Sequence, residues 1–373
     1  MRFDEVESLN EDVYRFDERL AFAATPPASW YTDPRVLAAE QAQVFARTWQ
    51  LVGRSCQVER PGQYFTATVA AEPIIVVRGA DEQLRVFSNV CRHRAGPVAV
   101  DCGERKSFQC GYHGWTYALD GRLTGTPEFD GVECFDKAAH CLPQFRVETW
   151  GPLVFVNLDQ NCAPLSETLG DLAARVGARD DWAQMKLAAR KDWYLDCNWK
   201  VYVDNYLEGY HIPLVHPALN RELDYARYRT ETRRFYSIQH APLRRATATR
   251  LQTGAGGHED AAQYFWLFPN LMLNVYADNY STNLIVPLTA ERTLTVFEWY
   301  FRDPDSAETQ ERVRRTVEFS DEIQREDINI CETVQRNLHS RTYTRGRYSV
   351  KRENGVHHFH GLLAEFLDQN KAD

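Results

Sequence analysis

The sequence predicts an α+β protein in two parts: a β-rich domain, followed by a larger domain in which an antiparallel sheet is flanked by helices. Three observations predict this. Between Leu51 and Leu158, short runs rich in β-branched and aromatic residues (QYFTATVA, PIIVVRG, LRVFSNV, LVFVNLD) are separated by Gly, Pro and Asp turns, the texture of short strands. From Tyr264 to Phe301, YFWLFPNLMLNVY, STNLIVPL and RTLTVFEWYF read as strands of an antiparallel sheet. TQERVRRTVEFSDEIQREDINICETVQRNL then reads as a long amphipathic helix. The expected organisation is an N-terminal helical segment over 1–45 that packs on the second domain, a β domain over 46–160, and the second domain over 161–373.

Taken in order, MRFDEVESLNEDVYRFDERLAF has acidic residues throughout and no uninterrupted apolar stretch, so neither a secretory signal nor a membrane span is expected and the location is cytoplasmic. A Pro-rich turn, ATPPASWYTDP, precedes VLAAEQAQVFARTWQLV, where Val36, Leu37, Val44, Phe45 and Trp49 are spaced like one helix face. After Asn161 helical signals return, and the helix through NWKVYVDNYLEGYHIP is expected to end near Pro213. GAGGHED, near Gly254, reads as a flexible loop. With 373 residues, 44% of them hydrophobic, the chain can bury a large core, which excludes a disordered protein. Its net charge of -9 and the lack of a dense Lys/Arg stripe argue against nucleic acid or an anionic membrane as partner.

The run NVCRHRAGPVAVDCGERKSFQCGYHGWTYALDG carries the clearest chemistry. Cys91 and His93 form a Cys-x-His pair, and Cys110 and His113 a Cys-x-x-His pair. One thiolate and one imidazole per loop let two sulfurs hold one iron of a two-iron, two-sulfur cluster while two histidines hold the other, the mixed ligation of a Rieske centre. Structural zinc is the competing reading, but zinc modules usually pair Cys with Cys and His with His. Small residues at Gly96, Gly111 and Gly114 suit close backbone approach to bridging sulfides. The other seven cysteines, irregularly spaced, are expected to be reduced core thiols.

Glu208, His211 and His216 form a second constellation, Glu-x-x-His-x4-His. On a helix, Glu208 would stand beside His211. Five positions on an unbroken helix would turn His216 about 140° from His211. Pro213 is therefore expected to break the ladder and let both imidazoles face one ion. A carboxylate would complete the facial triad of non-haem iron(II) oxygenases, with Asp327 the leading candidate beside Asp321, Glu326 and Glu332. The alternative is a core histidine pair and a solvated acidic helix. His357, His358 and His360 in HHFH are expected to serve packing or a subunit contact, since adjacent side chains point apart.

With these motifs in this order, the chain from about Trp30 onward resembles the alpha subunits of Rieske non-haem iron oxygenases, within them the branch containing choline, carnitine and glycine betaine oxygenases. The resemblance implies that Cys91, His93, Cys110 and His113 bind a [2Fe-2S] cluster and that His211, His216 and Asp327 bind mononuclear Fe(II). Asp327 stands five residues before Glu332, as the family's ligand does relative to that position. Glu208 matches the acidic residue, usually Asp, that bridges one subunit's cluster histidine to the next subunit's iron ligand. A homotrimer is implied with it. Ala95, Gly111 and Asn337 depart from the common Gly, Pro and Gly.

The chain has neither plant-type ferredoxin Cys spacing nor a dinucleotide fingerprint, so electrons are expected from a separate NAD(P)H-dependent reductase, with or without a ferredoxin. The expected reaction is O2-dependent hydroxylation or N-demethylation of a small organic substrate, an N-methylated or quaternary ammonium compound by resemblance. The alternative is hydroxylation or dihydroxylation of an aromatic or aromatic-acid substrate. Tyr202, Tyr206, Tyr210, Trp266, Tyr276 and Tyr280 are candidates for an aromatic cage around a cation. A pure electron carrier would leave the second motif unexplained.

Overall fold

The structure, a computed structural model, describes residues 14–177, 182–244, 261–276 and 279–368. GAGGHED lies outside the described residues. Helices α1 (Ser29–Thr32) and α2 (Pro34–Glu40) open it, and α2 passes into a wider π-helical turn over Gln41–Phe45. The chain is extended by Gln50, so the expected continuous helix through Trp49 is shorter than its periodicity suggests. The wider turn changes the angular spacing, and Val44, Phe45 and Trp49 are buried while Val36 and Leu37 stay half-buried.

The chain divides into two compact units, one of residues Gln41–Ala173, the other of those before and after it. The first contains β1 (Gln50–Arg54), β2 (Gln63–Val69), β3 (Glu72–Arg78), β4 (Leu84–Ser88), β5 (Cys102–Glu104), β6 (Ser107–Gln109), β7 (Thr116–Ala118), β8 (Leu123–Gly125), β9 (Gln144–Trp150) and β10 (Leu153–Asn157). Seven of these form an antiparallel sheet in the order β1-β10-β9-β4-β3-β2-β5, and β6-β7-β8 form a small separate one. The apolar run of β3 serves both faces of the sheet. Ile75 and Val77 join the core beneath Cys91, Cys110, Trp115 and Tyr117, whereas Ile74 and Val76 face a second core with Val154 and Val156. Beyond β10, residues up to α3 (Leu165–Leu169) stay with this unit: the Leu165 amide donates to Glu148 of β9 (3.0 Å) and Trp49 donates to the Ala163 carbonyl (3.0 Å). Helix α4 (Leu172–Gly177) follows.

The second unit is a seven-stranded antiparallel sheet, β11-β17-β16-β15-β14-β13-β12, with helices. Its strands are β11 (Lys186–Leu195), β12 (Arg229–Thr232), β13 (Tyr236–Pro242), β14 (Ala261–Leu267), β15 (Leu271–Val275), β16 (Asn279–Thr289) and β17 (Arg292–Phe301). Its helices are α5 (Trp199–Tyr206), α6 (Ile212–Val215), α7 (Pro217–Glu222), α8 (Ala307–Asn337) and α9 (Asn354–Leu367). YFWLFPNLMLNVY is two strands, because Pro269 has no N–H for the ladder and the chain turns there. Helix α8 starts at Ser306, whose hydroxyl accepts from the Thr309 amide (3.3 Å). Its buried stripe is polar: Asp321, Gln324, Asp327 and Gln335 beside Cys331. Tyr202 of α5 donates to Gln324 (2.5 Å).

The N-terminal arm is tied to α5 by buried polar contacts. Glu40 pairs with Lys200 (2.6 Å), both fully buried, and accepts from Trp199 Nε1 (2.8 Å). Tyr31 donates to Asp204 (2.8 Å) and meets His360 of α9, which also meets Tyr348 (2.7 Å). His357 reaches the Asp17 carbonyl, so these HHFH histidines serve packing. Among the described residues no helix is long and apolar enough to cross a membrane.

Candidate metal centres and the cavity beside them

Two loops of the first unit bring Cys91, His93, Cys110 and His113 together. The first follows β4 and closes on itself, with the Cys91 amide donating to the Gly96 carbonyl (2.8 Å) and the Ala95 amide to the Cys91 carbonyl (3.0 Å). The second joins β6 to β7 and is closed by Cys110 N to Trp115 O (2.9 Å) and Gly114 N to Cys110 O (3.0 Å). Both thiols are buried, and the His93 and His113 rings lie 4.6 Å apart between centroids. A side chain at Gly96 would put its Cβ 2.9 Å from Cys110 Sγ. Gly111 has open space around its missing Cβ. Ala95 holds φ +56°, the left-handed region that glycine occupies at less cost. Tyr117 crosses the two loops: its hydroxyl accepts from the Arg92 amide (2.9 Å) and lies 3.4 Å from Cys91 Sγ. Trp115 stacks on His93 at 4.9 Å.

These residues fit a mixed-ligand cluster. Buried His93 Nδ1 has no hydrogen-bond partner, an uncommon state that a metal ligand or its support would relieve. Burial, with the neighbouring Cys91 thiol, holds the metal-free Cys110 thiol above its ordinary range. All nine cysteines are free. Of the seven outside the loops, Cys197 and Cys331 are core thiols, but Cys56, Cys102 and Cys134 are exposed and Cys141 and Cys162 half-buried, a correction to the expected core role. Cys102, for example, lies on the short edge strand β5, which leaves its side chain in solvent.

In the second unit, His211, His216 and Asp327 each offer a ligand atom, all within 4.8 Å of one another. His216 Nε2 lies 3.0 Å and His211 Nε2 3.8 Å from Asp327 Oδ1. The far nitrogen of each imidazole is held by a carboxylate: His211 Nδ1 by Glu208 Oε1 and His216 Nδ1 by Glu326 Oε2, each at 2.6 Å. Asn205 Nδ2 donates to Asp327 Oδ1 at 2.6 Å. Two oriented imidazoles and one carboxylate are the donor set of a facial triad, and carboxylate support on the distal nitrogen fixes which nitrogen faces the metal. Asp321, another carboxylate considered, pairs with Lys191 instead (2.5 Å). Glu332 accepts from the Asp196 amide.

The route to this geometry differs from the one expected. Helix α5 ends at Tyr206, before Glu208, so Glu208 reaches His211 across a turn: its Oε2 accepts from the Tyr210 and His211 amides while Oε1 takes the imidazole. Pro213 does not break a helix. It occupies the first turn of α6, where a missing N–H costs nothing, and His211 and His216 cap the two ends of that single turn. The chain leaves the helix at His216 itself (φ -117°, ψ 72°), with Pro217 starting α7, and that departure turns the second imidazole back.

A cavity of about 570 Å³ opens on the triad, lined by α5, α8 and strands β13 to β17. Of the expected cage residues, Tyr202, Tyr206 and Tyr276 line it. Tyr210, Trp266 and Tyr280 do not: Tyr210 is 55% exposed, Trp266 packs under α9 against Phe359, and Tyr280 stacks on Tyr300. Tyr280 alternates with the cavity-facing Asn279 and Ser281, so it points to the opposite face of β16. Tyr228 and Tyr264, missed in the sequence, complete the aromatic wall with Phe297 and Trp299. Burial pushes the phenols of Tyr202, Tyr206, Tyr228 and Tyr264 well up, and that of Tyr276 to about 12, so all are neutral rings.

Residues 48–136 match the Rieske [2Fe-2S] domain family and residues 184–369 the ring hydroxylating alpha subunit (catalytic domain) family. The chain is 35% identical to the chloroplastic choline monooxygenase of Arabidopsis thaliana, over 96% of this chain and 87% of that one. It is 32% identical to the carnitine monooxygenase oxygenase subunit of Acinetobacter pittii, over 96% and 98% respectively. The crystal structure of the quaternary ammonium Rieske monooxygenase CntA with L-carnitine superposes with a TM-score of 0.80 at 31% identity, over 92% of this chain and 95% of that one. Naphthalene 1,2-dioxygenase from Rhodococcus sp., at 17% identity and a TM-score of 0.78, shares the fold.

Proposed function

Because the chain belongs to the Rieske non-haem iron oxygenase alpha subunits, enzymes with a Rieske [2Fe-2S] cluster and a mononuclear iron, we propose that it is the terminal oxygenase of a multicomponent system acting on a short N-methylated or quaternary ammonium compound. Cys91, His93, Cys110 and His113 hold the cluster, and His211, His216 and Asp327 hold the iron. When bound, the two centres supply one-electron relay and dioxygen reduction. The net reaction takes one O2, two electrons and two protons, placing one oxygen atom in a substrate C–H bond and releasing the other as water.

The observation that carries the substrate class is the wall of five neutral tyrosines, with Phe297 and Trp299, in the cavity that opens on the triad. A quaternary ammonium group cannot donate a conventional hydrogen bond, and ring faces attract its charge by roughly 0.5–2 kcal/mol each. The protein's work is to hold the cation, keep both imidazoles in one tautomer through Glu208 and Glu326, and exclude bulk water.

Electrons come from a separate NAD(P)H-dependent reductase, with or without a ferredoxin. The working form is a homotrimer in which Glu208 links the iron ligand His211 to the cluster of the neighbouring subunit. Purified protein with a reductase, NADH and a panel of onium and aromatic compounds tests the substrate class, scored by formaldehyde and by mass spectrometry of products. Turnover of aromatic acids without any onium compound would reverse the assignment. For the electron path, Glu208→Gln should keep both metals and a reducible cluster yet slow cluster reoxidation in a single turnover. Reoxidation at the wild-type rate, or a fully active monomer, would remove Glu208 from that path.

A further inference from the structure

The turn that carries Glu208 is gripped from two sides by residues that supply no metal ligand. Glu208 is flanked by Leu207, which caps α5, and by Gly209. On one side the start of α9 lies directly on the backbone: a Cβ at Gly355 would stand 2.5 Å from the Leu207 carbonyl oxygen. On the other side Gly209 lies on the Tyr228 ring, where a Cβ would come within 2.7 Å of Cε1 and 2.8 Å of Cζ. Neither glycine holds a left-handed φ, so close contact rather than backbone conformation is what calls for glycine.

Both grips are themselves held. The Tyr228 hydroxyl donates to Gln239 Oε1 (2.7 Å), and Gln239 Nε2 donates to the carbonyl of Tyr206 at the end of α5 (2.6 Å). Arg352, just before α9, donates to the carbonyls of Tyr228 (3.1 Å) and Tyr225 (3.3 Å), and Asn354 donates to that of Thr230 (3.0 Å). Further along α9, His360 meets Asp204 of α5 at 2.9 Å. Gly355 on Leu207 and His360 on Asp204 together fix the register of α9 along α5.

The hold matters because Glu208 has little slack. Its Oε1 meets His211 Nδ1 at 2.6 Å while Oε2 accepts from the Tyr210 and His211 amides. A methyl at Gly355 must move off by about 0.9 Å to reach ordinary contact at 3.4 Å, and the group it strikes is the carbonyl bonded to the Glu208 nitrogen. A shift of that size takes a 2.6 Å bond past the usual limit of about 3.2 Å for N–H···O.

We infer that Gly355, Gly209 and Tyr228 are positioning residues for Glu208: the start of α9 and the Tyr228 ring set where that carboxylate stands, and through it how His211 is presented to the iron. The inference rests on the iron site proposed above and extends it to a helix that supplies no ligand. A carboxylate on the far nitrogen of a metal-binding imidazole fixes its tautomer and direction, so misplacing it costs metal affinity.

The test is Fe(II) binding by equilibrium dialysis under argon, on protein carrying its cluster. Glu208→Ala should weaken binding about 10- to 100-fold, and Gly355→Ala about tenfold, with the cluster absorbance of the other unit kept. In a helix alanine is otherwise favoured over glycine, so without the Leu207 contact Gly355→Ala would leave binding alone and raise the melting midpoint. The decisive comparison is the double variant. If Gly355 acts through Glu208, Glu208→Ala with Gly355→Ala binds iron as Glu208→Ala does, within about twofold, because the carboxylate to be misplaced is already gone. Losses that multiply instead show general damage and overturn the inference, as does wild-type affinity in Gly355→Ala. Gly209→Ala, whose methyl meets a side chain rather than the backbone, carries the same expectation if Gly355→Ala does not fold. Wild-type affinity in Glu208→Ala overturns the reading of Glu208 on which the inference rests.

Discussion

Replacing Lys200 by Met should be the most damaging single change outside the metal ligands. Lys200 Nζ and Glu40 Oε1 are 2.6 Å apart and both side chains are fully buried. At an effective dielectric of 20, their gross attraction is about 6 kcal/mol, most of it spent on desolvating two charges. Burial lowers the Lys200 pKa even though Glu40 opposes it, which agrees with a heavy desolvation cost. The pair therefore adds little over a neutral one, but removing a single partner leaves a buried charge, a loss of roughly 3–5 kcal/mol. In a unit of this size each kcal/mol moves the melting midpoint by about 2–4 °C, so Lys200→Met should melt roughly 6–20 °C lower. Glu40→Gln combined with Lys200→Met keeps an acceptor for Trp199 Nε1 and carries no charge, and it should recover most of that loss. Calorimetry on the metal-loaded proteins provides the measurement. A Lys200→Met midpoint within about 2 °C of wild type, or a double variant no more stable than the single one, would refute the reasoning.

Four other outcomes are expected. Ala95→Gly relieves a left-handed alanine and should raise stability of the cluster-bearing unit by about 1 kcal/mol, read as a higher denaturant midpoint for loss of visible absorbance; a lower midpoint would contradict the strain argument. Cys91→Ser should abolish that absorbance and destabilise the same unit, because metal binding energy is folding energy; an unchanged spectrum would defeat the Rieske ligand assignment. Asp327→Ala should lose mononuclear iron with the cluster spectrum kept, whereas Glu326→Ala should retain the ligand set and weaken iron binding about 10- to 100-fold by equilibrium dialysis; the reverse order would exchange the two roles. In metal-free protein, burial lowers the His216 pKa but Asp327 and Glu326 outweigh it, leaving the pKa above 6.5. Its imidazolium therefore stabilises the fold fully below about pH 6.5, and that contribution is lost as pH rises through the raised value. Iron must displace the proton, so iron affinity should climb with pH across that window, and a flat profile would show His216 is not a ligand.

The order and chemistry of the two sites were legible in the chain itself. Close spacing brings Cys91 and His93, and Cys110 and His113, into loops too short to scatter them, and short β-branched and aromatic runs between turn residues announced the strands of that unit. The sheet of the second unit was legible for the same reason, since β14 to β17 are local hairpins whose pairing follows chain order. Tertiary structure decided what depends on a long reach or on backbone direction. Glu326 and Asp327 are adjacent on α8, yet one supports an imidazole and the other joins the triad, a division set by how α8 packs on α5. The helix pattern of α8 predicts a polar face in water, but part of that face is buried, because the cavity needs donors and acceptors more than it needs leucines. Pro213 shows the limit at short range: a proline can end one helix or begin the next, and only the backbone at His216 reveals which.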